Sequence, residues 1–326
     1  MAPDRTPIHF NGPAGAAGPE GPSTLACPGG GADRPPGPAL GTDCWILSGP
    51  TAAGKTALAL ALAGRLDAEI VSVDSMAVYR GLDIGTAKPS PREQALVPHH
   101  LIDVVPPGEP YSIARWLAAA AAAVDAIRAR GRRILFVGGT PLYLRALRDG
   151  LAPLPAEDAD FRSQLLQEAD TIGLAALHAR LAEIDPTAAA RIHPNDLRRI
   201  VRALEVAHTS GRPISASFAP DPHPIFETQM LVVDLPRQLL CDRIDRRVEQ
   251  MFARGLVDEV RQAAALPGGI GPTARQAAGY AEALDLIAGR LSRADAIRLT
   301  QQRTRQLAKR QLTWLRSFKG AVWITA

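Results

Sequence analysis

Hydrophobic patterning is nearly absent from the first part of the chain and begins abruptly at Cys44-Trp45-Ile46-Leu47-Ser48, a short apolar run that enters a glycine-containing loop. The stretch Thr56 to Leu66 continues with helical character, so the three pieces read as strand, loop and helix. Further buried-strand segments are expected at Glu69 to Val73, Arg133 to Val137, Met230 to Asp234 and Ala321 to Ile324, with helical stretches such as Ile113 to Ala129 between them. Strands alternating with helices predict an α/β fold with a parallel, doubly wound sheet.

Between about Gly150 and Gly211 the strand signal stops and patterns rich in Ala, Leu and Arg take over. This predicts a helical insertion at 150–211, set into a core formed by 43–149 and 212–326. The final stretch is mostly helical, with Pro267-Gly268-Gly269 and Gly271-Pro272 marking a break between two helices. Residues 1–42 hold 18 glycines and prolines, a composition that cannot offset its ordering entropy, and are expected to be a disordered tail.

The 326 residues, 46% hydrophobic and 21% charged, are enough for one large or two modest domains with a substantial core. No apolar run reaches the roughly 18 to 20 residues needed to span a bilayer, and the start lacks a charged segment followed by an apolar signal core. A cytoplasmic protein without membrane contact is therefore expected. Cys27, Cys44 and Cys241 are far apart and lack metal-ligand spacing, so they read as ordinary thiols. His99-His100 and His193 also lack companions at such spacing and are expected to pack or hydrogen-bond. A net charge of +4 does not prove a nucleic-acid partner, which moves the question to where the arginines cluster.

Gly49-Pro50-Thr51-Ala52-Ala53-Gly54-Lys55-Thr56 fits G-x-x-x-x-G-K-[ST] after a hydrophobic strand and before a helix, the context of a phosphate-binding P-loop. Glycines let backbone N–H groups turn inward, the helix directs its positive end at the anion, Lys55 adds charge, and the Thr56 hydroxyl can reach Mg²⁺ or a phosphate oxygen. The fold expected is thus P-loop NTPase-like. An ATP or GTP hydrolase places an acid at the end of another core strand. Here Ile134-Leu135-Phe136-Val137 ends in Gly138-Gly139-Thr140, which weakens that reading.

The P-loop, then Ser72-Val73-Asp74-Ser75, then Asp83-Ile84-Gly85-Thr86-Ala87-Lys88-Pro89 together strongly resemble the tRNA dimethylallyltransferase family. Segments Pro98 to Asp103, Gly138 to Thr140, Ile192 to Asp196 and Gln306 to Gln311 are similar to it as well, so the likeness runs from about Trp45 to Trp323. The resemblance implies that Gly49 to Thr56 bind the diphosphate of dimethylallyl diphosphate, with Mg²⁺ held directly or through water at Thr56. It also implies a monomer that prenylates the exocyclic amine of the adenine 3′-adjacent to the anticodon, in tRNAs reading codons that begin with U. By similarity Asp74 is the general base for that amine and Arg247 joins Lys55 and Thr56 on the leaving diphosphate. The residues alone leave a helix cap or Mg²⁺ ligand open for Asp74, and a plain surface role open for Arg247, which borders the buried stripe Leu240, Ile244, Val248 and Met251.

Extruding a stacked adenine costs roughly a few kcal/mol, so tRNA must be gripped elsewhere. Arg191, Arg198 and Arg202 recur at offsets of 7 and 11, which would put them on one helical face beside Arg199. Arg298, Arg305, Lys309 and Arg316 recur at offsets of 7, 11 and 18, a second basic stripe. Solvated surface is the plain alternative for either. The resemblance implies contacts to the tRNA anticodon stem-loop from Asp74, Ser75, Met76 and Ala77; from Arg198, Arg199, Ile200, Val201 and Arg202; and from Gln276, Ala277, Ala278, Gly279, Tyr280 and Ala281. Thr140 and Arg162 are implied as single contacts, and the Tyr280 ring is expected to approach an unstacked base. Ala77 departs from the family pattern, where a larger side chain, often glutamine, is common, and so does Pro141. A P-loop kinase of a small metabolite and an ATP-driven nucleic-acid-binding module remain the alternative readings.

Overall fold

The structure, a computed structural model, describes residues 37–152, 154–217 and 229–325. Cys27 and most of the expected tail lie outside the described residues. Residues 37–42 were expected to belong to that tail, yet Leu40 is buried in the main core and Arg128 donates to the Ala39 carbonyl at 2.8 Å. One leucine and a guanidinium anchor this segment.

The first half of the core runs β1 (Cys44–Ser48), α1 (Lys55–Leu66), β2 (Ala68–Ser72), α2 (Pro91–Leu96), β3 (His99–His100), α3 (Ile113–Ala129), β4 (Arg133–Val137) and α4 (Pro141–Asp149). The helices α5 (Ala159–Ile172), α6 (Leu174–Ile184), α7 (Pro186–Ala189) and α8 (Leu197–Ser210) follow. The chain returns through β5 (Met230–Asp234), α9 (Arg237–Ala253), α10 (Leu256–Ala265), α11 (Tyr280–Ile287), α12 (Arg293–Leu315) and β6 (Val322–Thr325). All strand pairings are parallel, in the order β3-β2-β4-β1-β5-β6.

This is the expected parallel sheet flanked by helices, with strand ends shifted by one residue at β2 and β6. The added edge strand β3 holds the two adjacent histidines: His99 Nδ1 lies 2.7 Å from the Val97 carbonyl and His100 Nε2 lies 2.7 Å from Glu69 Oε2. Two residues give no readable alternation, so this strand left no trace in the hydrophobic pattern. Strands buried on both faces carry continuous apolar runs, as in Ile46-Leu47, Ile70-Val71 and Ile134-Leu135-Phe136, all within 2% of complete burial. Trp116 of α3 is fully buried, stacks on Tyr143 of α4 at 4.3 Å and donates Nε1 to the Ser72 carbonyl.

The helices α5 to α8 have an apolar core of their own, built around Leu165, Leu177, Leu181, Ile200 and Leu204. At its edge Glu205, fully buried, accepts from the Asp158 N–H at 2.8 Å and from Arg162 and Arg202 at 2.7 Å each. Burial alone would raise the pKa of this carboxyl. The bonds from Arg202, Arg162 and the Asp158 backbone outweigh that cost and hold it below its ordinary value. Among the described residues no helix is long and apolar enough to cross a membrane.

Candidate active site

Three strand ends converge at the carboxyl edge of the sheet, where open parallel sheets bind ligands. Leu47 and Ser72 both lie in register with Val137, so the segments after β1, β2 and β4 leave the sheet at one level. They approach closely enough to exclude side chains. A Cβ on Gly138 would sit 2.2 Å from the Val73 carbonyl oxygen, and one on Gly139 would sit 2.8 Å from both the Gly49 oxygen and Gln311 Nε2.

The loop Gly49 to Thr56 takes the geometry its glycines allow, with φ of 151° at Gly49 and 94° at Gly54, while Ala52 also takes a positive φ of 64°. Gly54 is the N-cap of α1 and offers no side-chain acceptor, so the first-turn N–H donors face the loop uncapped. Lys55 Nζ donates to the Gly49 and Pro50 carbonyls at 2.9 and 2.8 Å. Part of the lysine remains accessible, but the protein crowds its ammonium. Burial, reinforced by the nearby Arg247 and opposed by Asp74, lowers its pKa to about 8.

Arg247 of α9 is half-buried and makes no hydrogen bond or ion pair with the described residues. Burial depresses its pKa, with Asp74 partly compensating. Leu240, Ile244, Val248 and Met251 are buried beside it, so the stripe border anticipated from spacing faces the cleft. Asp74 lies just past β2; its Oδ1 accepts from the Met76 N–H at 2.8 Å, and Oδ2 takes no hydrogen bond from the described residues. It caps a local turn and still keeps one oxygen free.

Two cavities meet at Asp74. One, of about 90 Å³, is lined by Lys55, Thr56, Asp74, Thr86 and Lys88. The other, of about 290 Å³, is lined by Thr51, Asp74, Thr86, Thr140, Arg247 and Gln276. It continues into an outer cavity of about 550 Å³ whose walls include Arg275, Gln276, Ala278, Arg303 and Arg310. Thr140 Oγ1 accepts from the Ser75 N–H at 3.1 Å, which joins the segments after β4 and β2.

No group of three or more His, Cys, Asp or Glu side chains able to hold a metal occurs among the described residues. The Thr56 hydroxyl and the Asp74 carboxylate do line the same small cavity. Hard oxygen donors beside a phosphate loop fit Mg²⁺, which takes few protein ligands and keeps waters and phosphate oxygens.

The implied RNA contacts separate into two sets. Arg198, Arg199 and Gln276 are exposed, and Ser75, Met76, Thr140 and Ala278 line the 290 Å³ cavity. Ala281 lines the outer cavity. The others have a different setting. Ile200 and Val201 fill the small helical core, and Arg162 and Arg202 are committed to Glu205, with Arg202 also bonded to the Pro155 carbonyl. Arg191 precedes α8 and so cannot share its face. Ala77, Ala277 and Gly279 are buried, yet Ala77 lines the 90 Å³ cavity and Ala277 lines both the 290 and the 550 Å³ cavities. Tyr280 is fully buried, its ring against Gly85 and its hydroxyl donating to Glu259, so the ring is not presented to a base. In the second stripe Arg305 pairs with Asp245 and Arg298 with Asp295, leaving Lys309 and Arg316 exposed.

Spacing missed Gln311, which is buried on α12. Its Oε1 accepts from the Thr51 N–H at 2.9 Å and its Nε2 donates to the Gly139 carbonyl at 2.8 Å, tying the phosphate loop to the segment after β4. Its place in the segment Gln306 to Gln311 was the available signal. The exposed Arg275 and Arg310 at the outer cavity were also missed. Beside β1, β4 ends in Gly138-Gly139; the acid ending β5 on the other side, Asp234, accepts from its neighbour's Leu235 N–H and lines none of these three cavities.

Comparison with known proteins adds to this geometry. Residues 77–318 match the IPP transferase family, and residues 42–99 match the isopentenyl transferase family. The chain is 50% identical over 283 residues to a tRNA dimethylallyltransferase of Anaeromyxobacter sp. (strain Fw109-5), covering 86% of this chain and 93% of that one. Among solved structures it is similar to a tRNA isopentenylpyrophosphate transferase of Bacillus halodurans, at 40% identity and a TM-score of 0.62, with 86% and 89% of the two chains covered. It is also similar to a eukaryotic dimethylallyltransferase described as acting on tRNA, at 28% identity and a TM-score of 0.69, with 86% and 73% covered.

Proposed function

The chain belongs to the IPP transferase family, the family of the tRNA dimethylallyltransferases, and from that premise we propose that its cleft moves a dimethylallyl group from dimethylallyl diphosphate to an adenine of tRNA. The acceptor is the exocyclic amine of the adenine 3′-adjacent to the anticodon, in tRNAs reading codons that begin with U. The observation that carries this reading is Arg247, a half-buried guanidinium without a partner among the described residues, converging with Lys55 and the free oxygen of Asp74 on cavities that meet at Asp74.

An adenine amine is a poor nucleophile because its lone pair is delocalised into the ring, and it sheds a proton as its C–N bond forms. Asp74, with one uncommitted oxygen, accepts that proton. At the donor the allylic C–O bond breaks and both bonding electrons leave with the diphosphate. Lys55, Arg247 and the uncapped start of α1 stabilise the growing negative charge. Bound with the donor at Thr56, Mg²⁺ would supply further charge neutralisation. The outer cavity, with Arg275 and Arg310 at its wall and Lys309 and Arg316 beyond, receives the anticodon stem-loop.

The test is incubation with Mg²⁺, unmodified tRNA and either dimethylallyl diphosphate or ATP, followed by digestion and mass analysis of the nucleosides. A prenyl mass increase on adenosine with the first donor alone is expected. ATP turnover without prenylation would overturn the reading in favour of a kinase or an ATPase.

A further inference from the structure

One acidic side chain outside the charged cleft holds both of its walls. Glu259 of α10 accepts backbone N–H bonds from Asp83 at 2.8 Å, Ile84 at 2.7 Å and Gly85 at 3.3 Å, and it also accepts the hydroxyl of Tyr280. The first three bonds fix the segment that supplies Gly85 and Thr86 to the 290 Å³ cavity. The fourth fixes Tyr280, which directly follows Gln276 to Gly279, the segment that supplies the facing wall. The two walls touch through the same residues: a Cβ on Gly85 would lie 2.2 Å from Tyr280 Cε2 and 3.0 Å from the Ala278 carbonyl oxygen. Burial, with Glu259 beside it, raises the Tyr280 pKa, so the hydroxyl stays protonated and remains a donor.

A loop held only by its own turn would be soft, since Ala87 is in the left-handed region at φ 49° and Asp83 is exposed. The other end of the segment is pinned separately, by Lys88 Nζ donating to the Tyr79 carbonyl at 2.6 Å and to Asp83 at 2.7 Å. Thr86, between the two anchors, lines both cavities that meet at Asp74. Glu259 itself lines neither, and it reaches across 174 to 176 residues of sequence to make its backbone bonds.

We propose that Glu259 and Tyr280 are positioning residues that set the width of the slot admitting the acceptor base, by locking the Gly85–Thr86 wall to the Gln276–Ala278 wall. This rests on the transfer function proposed above. A flat base inserted between two walls is sensitive to their separation, because contact energy falls steeply with a gap of a fraction of an ångström. The diphosphate end, built from the P-loop and Arg247, makes none of these bonds. Loosening the bracket therefore weakens the acceptor side and spares the donor side.

The experiment compares Glu259→Gln, Tyr280→Phe and the double variant with wild type, using an anticodon stem-loop RNA and dimethylallyl diphosphate. Gln keeps one acceptor oxygen but turns an amide NH₂ toward backbone donors, so KM for the RNA should rise about tenfold or more, while the Kd for dimethylallyl diphosphate stays within about twofold. Tyr280→Phe keeps the ring and loses one bond, for a smaller rise of about threefold, and the double variant should fall short of the product because both changes act on one hydrogen bond. Hydrogen exchange at the amides of 83–85 should accelerate about tenfold in Glu259→Gln. Equal losses on the RNA and donor sides, or a lower Tm with unchanged RNA KM, would reduce the bracket to ordinary structure and overturn the proposal. If wild type itself transfers nothing, the transfer reading fails on its own; RNA binding and amide exchange then decide the bracket, which is overturned if both match wild type in Glu259→Gln.

Discussion

Two places in this molecule set arginine near a carboxylate, and they do so in opposite ways. At Glu205, among helices α5 to α8, every charge is answered: two guanidiniums and a backbone N–H surround one buried carboxylate. In the cleft, Arg247 and Lys55 crowd each other, Arg247 has no hydrogen-bond partner among the described residues, and Asp74 keeps one oxygen free. A satisfied cluster holds a fold together. An unsatisfied one carries a standing electrostatic cost that a ligand of the right charge removes, and perturbed groups gathered in a cleft mark function for that reason.

The sharpest break in the comparison is at Asp74. Asp74→Asn keeps the shape and the acceptor for the Met76 N–H but removes the base, so single-turnover prenylation should fall by about 10²- to 10⁴-fold. Arg247→Ala should lower kcat/KM for dimethylallyl diphosphate by about 10²- to 10³-fold, the scale of one lost donor to a developing anion. At the other cluster the same kind of change should appear as stability. Arg162→Ala leaves a buried carboxylate with fewer partners and should cost about 1–3 kcal/mol in denaturant unfolding.

The pH responses should also separate the two regions. Lys55 has a depressed pKa near 8, so it is charged below that value and loses its proton above it. Diphosphate affinity should fall up to about tenfold per unit as pH climbs past 8, measured by titration in buffers of matched ionic strength. Glu205 is a carboxylate with a lowered folded pKa, so its contribution is present above the unfolded value of 4.5 and is lost as pH falls through the folded value. The difference in Tm between wild type and Glu205→Gln should therefore shrink in acid. This is the smallest of the expected effects.

What was legible in the sequence follows from the range of the interaction that fixes each feature. The sheet strands carry local apolar runs and the P-loop is eight consecutive residues, so both could be read directly. Arg247 was named by the family resemblance, while the buried stripe on its own helix set it only at a border and left a plain surface role open. Gln311 and Glu259 could not be placed, because their partners lie 260 and 174 to 176 positions away and no spacing encodes such contacts. The basic stripe across Arg191, Arg198 and Arg202 was misread for a related reason. Periodicity assumes one continuous helix and free side chains, whereas α8 starts at Leu197 and Arg202 turns inward to Glu205.

Thermal melting with and without inorganic diphosphate, run on wild type and Arg247→Ala, tests the central claim most directly. A ligand that binds only the folded state raises Tm in proportion to its affinity. Wild type should gain several degrees with diphosphate. Arg247→Ala should melt no lower than wild type alone, since it loses an unpaired cation beside Lys55, and should lose most of the gain. A variant that melts lower without ligand and keeps the full diphosphate shift would contradict the claim that Arg247 is held unpaired for the leaving group.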